Sequence, residues 1–361
     1  VTRWGFLVVV ALVLSFAVAP SSAVAVSWRG VLRQPDDWYA SKEAVRIAGN
    51  VLAYQHPTGG WPKNIDKARP LSAEALEEVR RQAPSRQPII DNGATHTEIR
   101  YLARVYAATG REELREAALR GVDYLLEAQY PGGGWPMMHP PRRGYYTHIT
   151  YNDGAMVGVL RTLRDASHGE GDWAFVDDQR RARAADAVQR GVEAILQTQI
   201  EVDGKLTAWC AQHDEHTLAP AKARSYELPS ISGQESVGVV EFLMGIPDPS
   251  PEVVRAVEAA VDWFERSKVE GVRVEYRRGA DVPGGRDRVL VEDASAPALW
   301  ARFYDIETNE PMFVGRDGVV KQDYNAIERE RRLGYSYLGP YADRLLARSY
   351  PRWRQRIGIA D

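Results

Sequence analysis

The 361-residue chain has a single cysteine, Cys210. No internal disulfide can form, so packing, with a bound metal as the one available addition, must hold the fold. A surplus of positive charge is missing too: 46 Lys and Arg stand against 49 Asp and Glu, a formal net charge of −3. That balance, with no long run of one sign, points away from nucleic acid as a partner. Downstream of residue 19 there is no long apolar run, so the mature chain is not expected to cross a membrane. Aromatic residues, by contrast, are plentiful, with ten Trp and seventeen Tyr. Some of these rings anchor a core and others are available to stack on a ligand. With 44% hydrophobic residues, the chain can bury one large core or two modest ones.

The first 25 residues read as an export leader. Arg3 precedes an apolar stretch from Gly5 to Ala19, and Ala23-Val24-Ala25 matches a small-x-small cleavage pattern. Cleavage after Ala25 is expected, leaving a secreted or periplasmic protein over residues 26–361. A single membrane anchor is the alternative reading. A monomer is expected, and residues 26–90 are compatible with an N-terminal helical subdomain.

The main organising signal is a repeat. A helical stretch ends in Gln, followed by a Gly-containing turn and then Trp. Val45–Tyr54 runs into Gln55 and Trp61, Leu119–Ala128 into Gln129 and Trp135, and Arg190–Thr198 into Gln199 and Trp209; the three tryptophans are spaced 74 residues apart. A weaker fourth copy spans Val253–Arg266. Between these stretches, Thr95–Ala108, Asp153–Asp165 and Ser232–Met244 read as further helices, each with an apolar face. Two helices per period imply a mainly α protein, an α/α toroid or partial barrel of repeated helical hairpins with short β-strands. Ala68–Pro88 is expected to be a partly helical surface excursion, and Gly279–Arg288 a loop.

Polar residues crowd the expected helix starts. Asp91-Asn92-Gly93-Ala94 and Asn152-Asp153-Gly154-Ala155 repeat one pattern a period apart. Helix capping accounts for one residue of each. The surplus oxygen groups of Asp91, Asn92 and Asp153 also suit a hard cation, calcium in preference to zinc. His213 and His216 alone are a weak zinc signal. Lys222 and Arg224 lie in a polar loop that is either merely solvated or shaped to recognise carboxylates. Arg302 and Arg316 flank aromatics, as on an ordinary surface strand pair or along an acidic sugar chain. The acids Asp91, Glu98, Asp153, Asp214 and Glu227 would equally serve a glycoside hydrolase. A non-catalytic carbohydrate-binding protein is a further alternative, and a terpenoid-type α/α enzyme is disfavoured because arginines stand where acidic clusters would be needed.

Five ordered motifs narrow this choice. Gly59-Gly60-Trp61-Pro62-Lys63-Asn64, Asp91-Asn92-Gly93-Ala94-Thr95, Tyr151-Asn152-Asp153-Gly154-Ala155-Met156, Leu206-Thr207-Ala208-Trp209-Cys210-Ala211-Gln212 and Ala223-Arg224-Ser225-Tyr226-Glu227-Leu228-Pro229 resemble the pectate lyases of polysaccharide lyase family 10. The resemblance runs from about Trp28 to the end of the chain. It implies an α/α toroid and a Ca²⁺-dependent cleavage of polygalacturonate. It further implies that Asp91, Asn92 and Asp153 hold the metal, with Asp91 also catalytic and Asn92 also on the substrate. Arg224 resembles the family's base, and Arg302 and Arg316 its binders of substrate carboxylates. Lys222, Trp209 and Tyr226 are expected to line the substrate as well.

Overall fold

The computed structural model describes Val1 and residues 26–359; the expected leader lies, apart from Val1, outside the described residues. Eight principal helices follow one another: α1 Lys42–Tyr54, α2 Ala73–Gln82, α3 His96–Thr109, α4 Glu112–Glu127, α5 Ala155–His168, α6 Asp178–Thr198, α7 Glu235–Met244 and α8 Pro251–Arg266. Their starts follow local chemistry. Ser41, Ser72, Asp177 and Ser250 each accept a first-turn backbone N–H, and α3 and α5 stop at the left-handed glycines Gly110 and Gly169.

Helices pair as α3 with α4, α5 with α6, and α7 with α8; along the chain α1 touches α3, α3 touches α5, and α5 touches α7. The helices thus form two rows, α3–α5–α7 and α1–α4–α6–α8, the α/α toroid arrangement expected from the repeat. Two short helices, α9 Arg329–Gly334 and α10 Tyr350–Arg356, follow. Among the described residues the strands are short and pair two by two, and one continuous core runs from Val31 to Trp353. No helix among these residues is long and apolar enough to cross a membrane.

The Gln–Gly–Trp signature has a structural reason. Gln55 Nε2 donates to the carbonyls of Gly59 and Ala117, Gln129 Nε2 to those of Gly133 and Ala187, and Gln199 Nε2 to those of Thr207 and Ala256. One side chain therefore closes its own turn and ties its helix to the next member of the same row. The turn glycines lie against that next helix: a Cβ on Gly59 would sit 2.2 Å from the Arg120 carbonyl oxygen, and one on Gly133 2.0 Å from that of Arg190. Both glycines also have positive φ, which side chains disfavour.

Each tryptophan then plugs the hairpin. Trp61, Trp135 and Trp209 are fully buried, and their indole N–H groups donate at 2.7 Å to Val51, Leu125 and Ile195. The fourth copy keeps this device but delays it, since Trp300 donates to the Phe264 carbonyl at the end of α8 at 2.9 Å. The delay is an insertion. Val272–Arg278 and Arg286–Glu292 form an antiparallel hairpin between α8 and Trp300. The loop expected over Gly279–Arg288 is thus only partly a loop: Gly284 and Gly285 turn the chain at positive φ, and residues 286–288 are strand. Charged residues on the exposed faces mask the strand alternation in the sequence.

Replacing Gln199 by Leu is expected to lower the unfolding free energy by about 2 kcal/mol, because it removes two buried hydrogen bonds, to the Thr207 and Ala256 carbonyls. Urea denaturation measures it, and a loss below about 0.5 kcal/mol, the range of an ordinary surface change, would contradict the role assigned to this side chain.

Candidate active site

The starts of α3, α5 and α7 converge because the helices pack in one row. Each is preceded by a tight turn. In Asp91–Gly93 the middle residue Asn92 has φ 52° and ψ 34°; in Asn152–Gly154 Asp153 has φ 50° and ψ 28°. Asn and Asp tolerate this left-handed conformation better than other residues with a Cβ. The two turns pack against each other. Helices expected to start at Thr95, Asp153 and Ser232 begin instead at His96, Ala155 and Glu235; before the first two, residues at positive φ break the helical path.

Asn92, Asp153 and Glu235 line one cleft of about 890 Å³, together with Lys63, Asn64 and Lys67. Lys63 forms an ion pair with the buried Asp91 carboxylate, and the Asn92 side-chain amide donates to Asn64 Oδ1 at 3.0 Å. Arg302 enters from the segment after Trp300. It is 5% exposed, and its Nη2 donates to Asp153 Oδ1 at 3.1 Å, Asn152 Oδ1 at 3.2 Å and the buried carboxylate of Glu235. Ser232 Oγ donates to the other Glu235 oxygen. Burial works against the Arg302 charge, but Glu235 and Asp153 outweigh it and raise its pKa.

Tyr335 joins this group to a second one. The Arg302 guanidinium lies 4.5 Å and that of Arg224 5.7 Å from the Tyr335 ring centroid. Arg224 donates through Nε to Glu227 at 2.7 Å in a two-pronged pair, and Tyr335 Oη donates to Glu227 at 2.8 Å. The pair with Glu227 raises the Arg224 pKa. Burial alone would push the Glu227 carboxyl up; the hydrogen bonds from Arg224 and Tyr335 hold it below its ordinary range. Arg224, Arg331 and Arg316 also surround the Tyr226 ring, at 4.9, 4.8 and 6.0 Å. Arg316 is itself paired with Glu330 at 3.0 Å.

Of the residues expected from sequence, Asp91, Asn92, Asp153 and Arg302 meet in or beside one cleft, with Arg224 one ring away and Arg316 one ring further. Lys222 is exposed in the loop before Arg224. Trp209 is a correction: it is fully buried and held by Ile195, because its repeat position makes it a hairpin plug and takes it off any surface. Tyr226 is corrected as well. At 5% exposed it is a platform for arginines and offers no free face to a sugar. His213, weighed for zinc, is buried, accepts the Cys210 N–H and lies 2.9 Å from the Leu218 carbonyl, a packing role. Lys63, Glu235 and Tyr335 were not singled out. Lys63 stood in a quoted motif and Glu235 at the third helix start, whereas nothing local marked Tyr335.

The donors around the two turns are oxygens, and no Cys or His lines the cleft, so the chemistry fits a hard divalent cation. Lys63 and Arg302 at present serve the Asp91 and Asp153 carboxylates. A tighter grouping lies elsewhere: ligand atoms of His148, Asp214 and Glu215 fall within 4.8 Å of one another.

The pectic acid lyase family profile matches residues 55–346. The fold is similar to a family 10 polysaccharide lyase from Cellvibrio cellulosa, with a TM-score of 0.75 and 35% identity over 90% of this chain and 95% of that one. A mutant of a Cellvibrio cellulosa family 10 lyase in complex with trigalacturonic acid matches with a TM-score of 0.74 and 34% identity over 93% of this chain and 100% of that one. The chain is a family 10 polysaccharide lyase. No curated protein matches it. The lyase is therefore an enzyme whose chemistry is elimination, and the acids considered for a hydrolase need no such role: Glu98 is in a buried pair with Lys67 at 2.6 Å, Glu227 holds Arg224, and Asp214 caps its own turn through Thr217.

Replacing Arg302 by Met leaves the Glu235 carboxylate buried without its cation. A stability loss of about 3–5 kcal/mol is expected, and adding Glu235→Gln should restore at least half. Chemical denaturation of the two variants reads this directly; equal losses would show that the pair is not the source.

Proposed function

We propose that the lyase cleaves α-1,4-linked polygalacturonate by calcium-dependent β-elimination, with Arg224 removing the C5 proton. The observation that carries this reading is the packing of two oxygen-rich turns beside Arg302, with Arg224 one aromatic ring away. It agrees with the pectic acid family profile and with the trigalacturonic acid bound to the similar mutant lyase. The protein is expected to act after export, as a secreted or periplasmic enzyme.

The chemistry needs these residue types. The galacturonate C6 carboxylate adjoins C5, so positive charge at that carboxylate acidifies the C5 proton and stabilises the enolate-like charge that develops. Asp91, Asn92 and Asp153 would hold Ca²⁺, which when bound would withdraw electron density from the substrate carboxylate. The positive ends of α3, α5 and α7 point to the same region and favour an anion there. Arg302 adds fixed charge on a side chain locked by Glu235, and Arg316 offers a second guanidinium for a neighbouring carboxylate. Asn92 and Lys222 supply further polar contacts. Loss of the C5 proton and departure of the C4 oxygen leave a C4–C5 double bond.

Arg224 is a demanding base. Holding an arginine neutral near pH 8 costs at least about 5 kcal/mol, and Glu227 adds to that by favouring the charged form. The crowd of guanidinium groups around Tyr226 works the other way, as would Ca²⁺ and Lys222. Neutral Arg224 is a minor species in the resting site, and its population rises with pH.

Purified protein mixed with polygalacturonate should produce a near-ultraviolet absorbance that depends on Ca²⁺ and disappears with chelator; a metal-independent rise, or new reducing ends without absorbance, would reject the mechanism. The rate should climb into the alkaline range. Glu227→Gln removes an anion that favours charged Arg224, so the rising limb of the pH–kcat profile should move to lower pH. An unmoved or upward-moved limb would argue against Arg224 as base.

A further inference from the structure

We propose that one face of the inserted hairpin is an additional binding groove for the uronate carboxylates of a long polygalacturonate chain, beyond the catalytic cleft. The proposal rests on the polygalacturonate reading above and extends it to chain length.

The argument starts from register. In the antiparallel hairpin Tyr276 lies opposite Arg288, and Arg278 opposite Arg286. Directly opposed residues, and those two positions along, share a face. Tyr276, Arg278, Arg286 and Arg288 therefore stand together. Like charges directly opposite one another destabilise a strand pair. The other face is treated differently: Arg273 and Arg277 pair with Glu275, and Asp287 pairs with Arg332 at 2.6 Å. Among the described residues no carboxylate pairs with Arg278, Arg286 or Arg288. One face of the same small element is neutralised and the other is left cationic.

A further cation is built in beside it. Arg329 points one nitrogen at two backbone carbonyls of the hairpin turn, those of Pro283 at 2.7 Å and Arg286 at 3.0 Å, and it too has no carboxylate partner among the described residues. Tyr276, Arg286, Arg288, Arg329 and Glu330 line a concave groove of about 520 Å³. In its lining Tyr276 is 41% exposed, one of few large apolar side chains left open among the described residues, with the Arg278 guanidinium 4.8 Å from its ring centroid. An open ring among unpaired guanidinium groups suits a sugar that carries a carboxylate: the ring takes a pyranose face and the forks take the anion.

A chain of side-chain contacts links the groove to the arginines of the candidate site. Glu330, on its wall, is the carboxylate that holds Arg316 and Arg331, and both of these lie over Tyr226 together with Arg224. The hairpin is also the element that lengthens the fourth repeat, and insertions in repeat proteins map to loops on one face, often the binding face.

The test compares wild type with Arg286→Gln/Arg288→Gln, neither residue being part of the catalytic cluster, on trigalacturonate and on long polygalacturonate. For the polymer, KM should rise about tenfold in low salt with kcat unchanged, while trigalacturonate kinetics stay the same. Retardation in a polygalacturonate gel should weaken in the double variant and in Tyr276→Ala. Removing like charge should leave the melting temperature level or higher, so a misfolded variant is recognised, and Tyr276→Ala then carries the test. Equal polymer KM in wild type and variant, equal losses on both substrates, or equal retardation by single-stranded DNA would overturn the groove. If no substrate turns over even in wild type, the parent reading fails, and the gel comparison still decides the groove.

Discussion

The site depends on one constraint, the side-chain amide that ends α1, α4 and α6. Each of these glutamines satisfies a carbonyl in its own turn and another on the neighbouring helix of its row. The spacing of that row sets the spacing of the companion row, since α3 packs on α4 and α5 on α6. The starts of α3, α5 and α7 are then held side by side without a disulfide. The partners on the neighbouring helices are carbonyls inside α4, α6 and α8, so each amide adds a second, inter-helix hydrogen bond to a group already in its helix, and a polar residue at this position tightens the core.

On that frame the electrostatics follow a common logic. Three arginines in and around the cleft are each held by an acid and an aromatic ring: Arg302 by Glu235, Asp153 and Tyr335, Arg224 by Glu227 with Tyr226 and Tyr335, and Arg316 by Glu330 with Tyr226. Rings shield one side of each fork and acids fix its plane, so little side-chain freedom remains to be lost when an anion arrives. The inserted hairpin departs from this logic on one face only, and that contrast sets it apart from ordinary charged surface.

A substantial part of this was legible in the chain. The period of the Gln–Gly–Trp signature gave the paired helices, and the repeated Asp-Asn-Gly and Asn-Asp-Gly turns marked the oxygen-rich helix starts, because tight turns and helix boundaries are local events with local residue preferences. The fourth repeat was harder to see. Its tryptophan, Trp300, stands beyond the hairpin, and a fixed spacing cannot anticipate an insertion. Trp209 was misread for a related reason: an aromatic in a signature looks the same in sequence whether it plugs a hairpin or faces a ligand.

By itself, then, the sequence determined the helical repeat, the two oxygen-rich turns ahead of helices and the residue types available for binding an anion, since each rests on contacts within a few positions along the chain. Only the tertiary structure decided which charges neutralise one another. Arg302 meets Asp153 across 149 positions, and Tyr335 reaches Glu227 across 108. Such pairings come from how rows of helices stack, and no local pattern encodes them. The same holds for the cationic face of the hairpin, where strand register, invisible in composition, places Arg278 opposite Arg286.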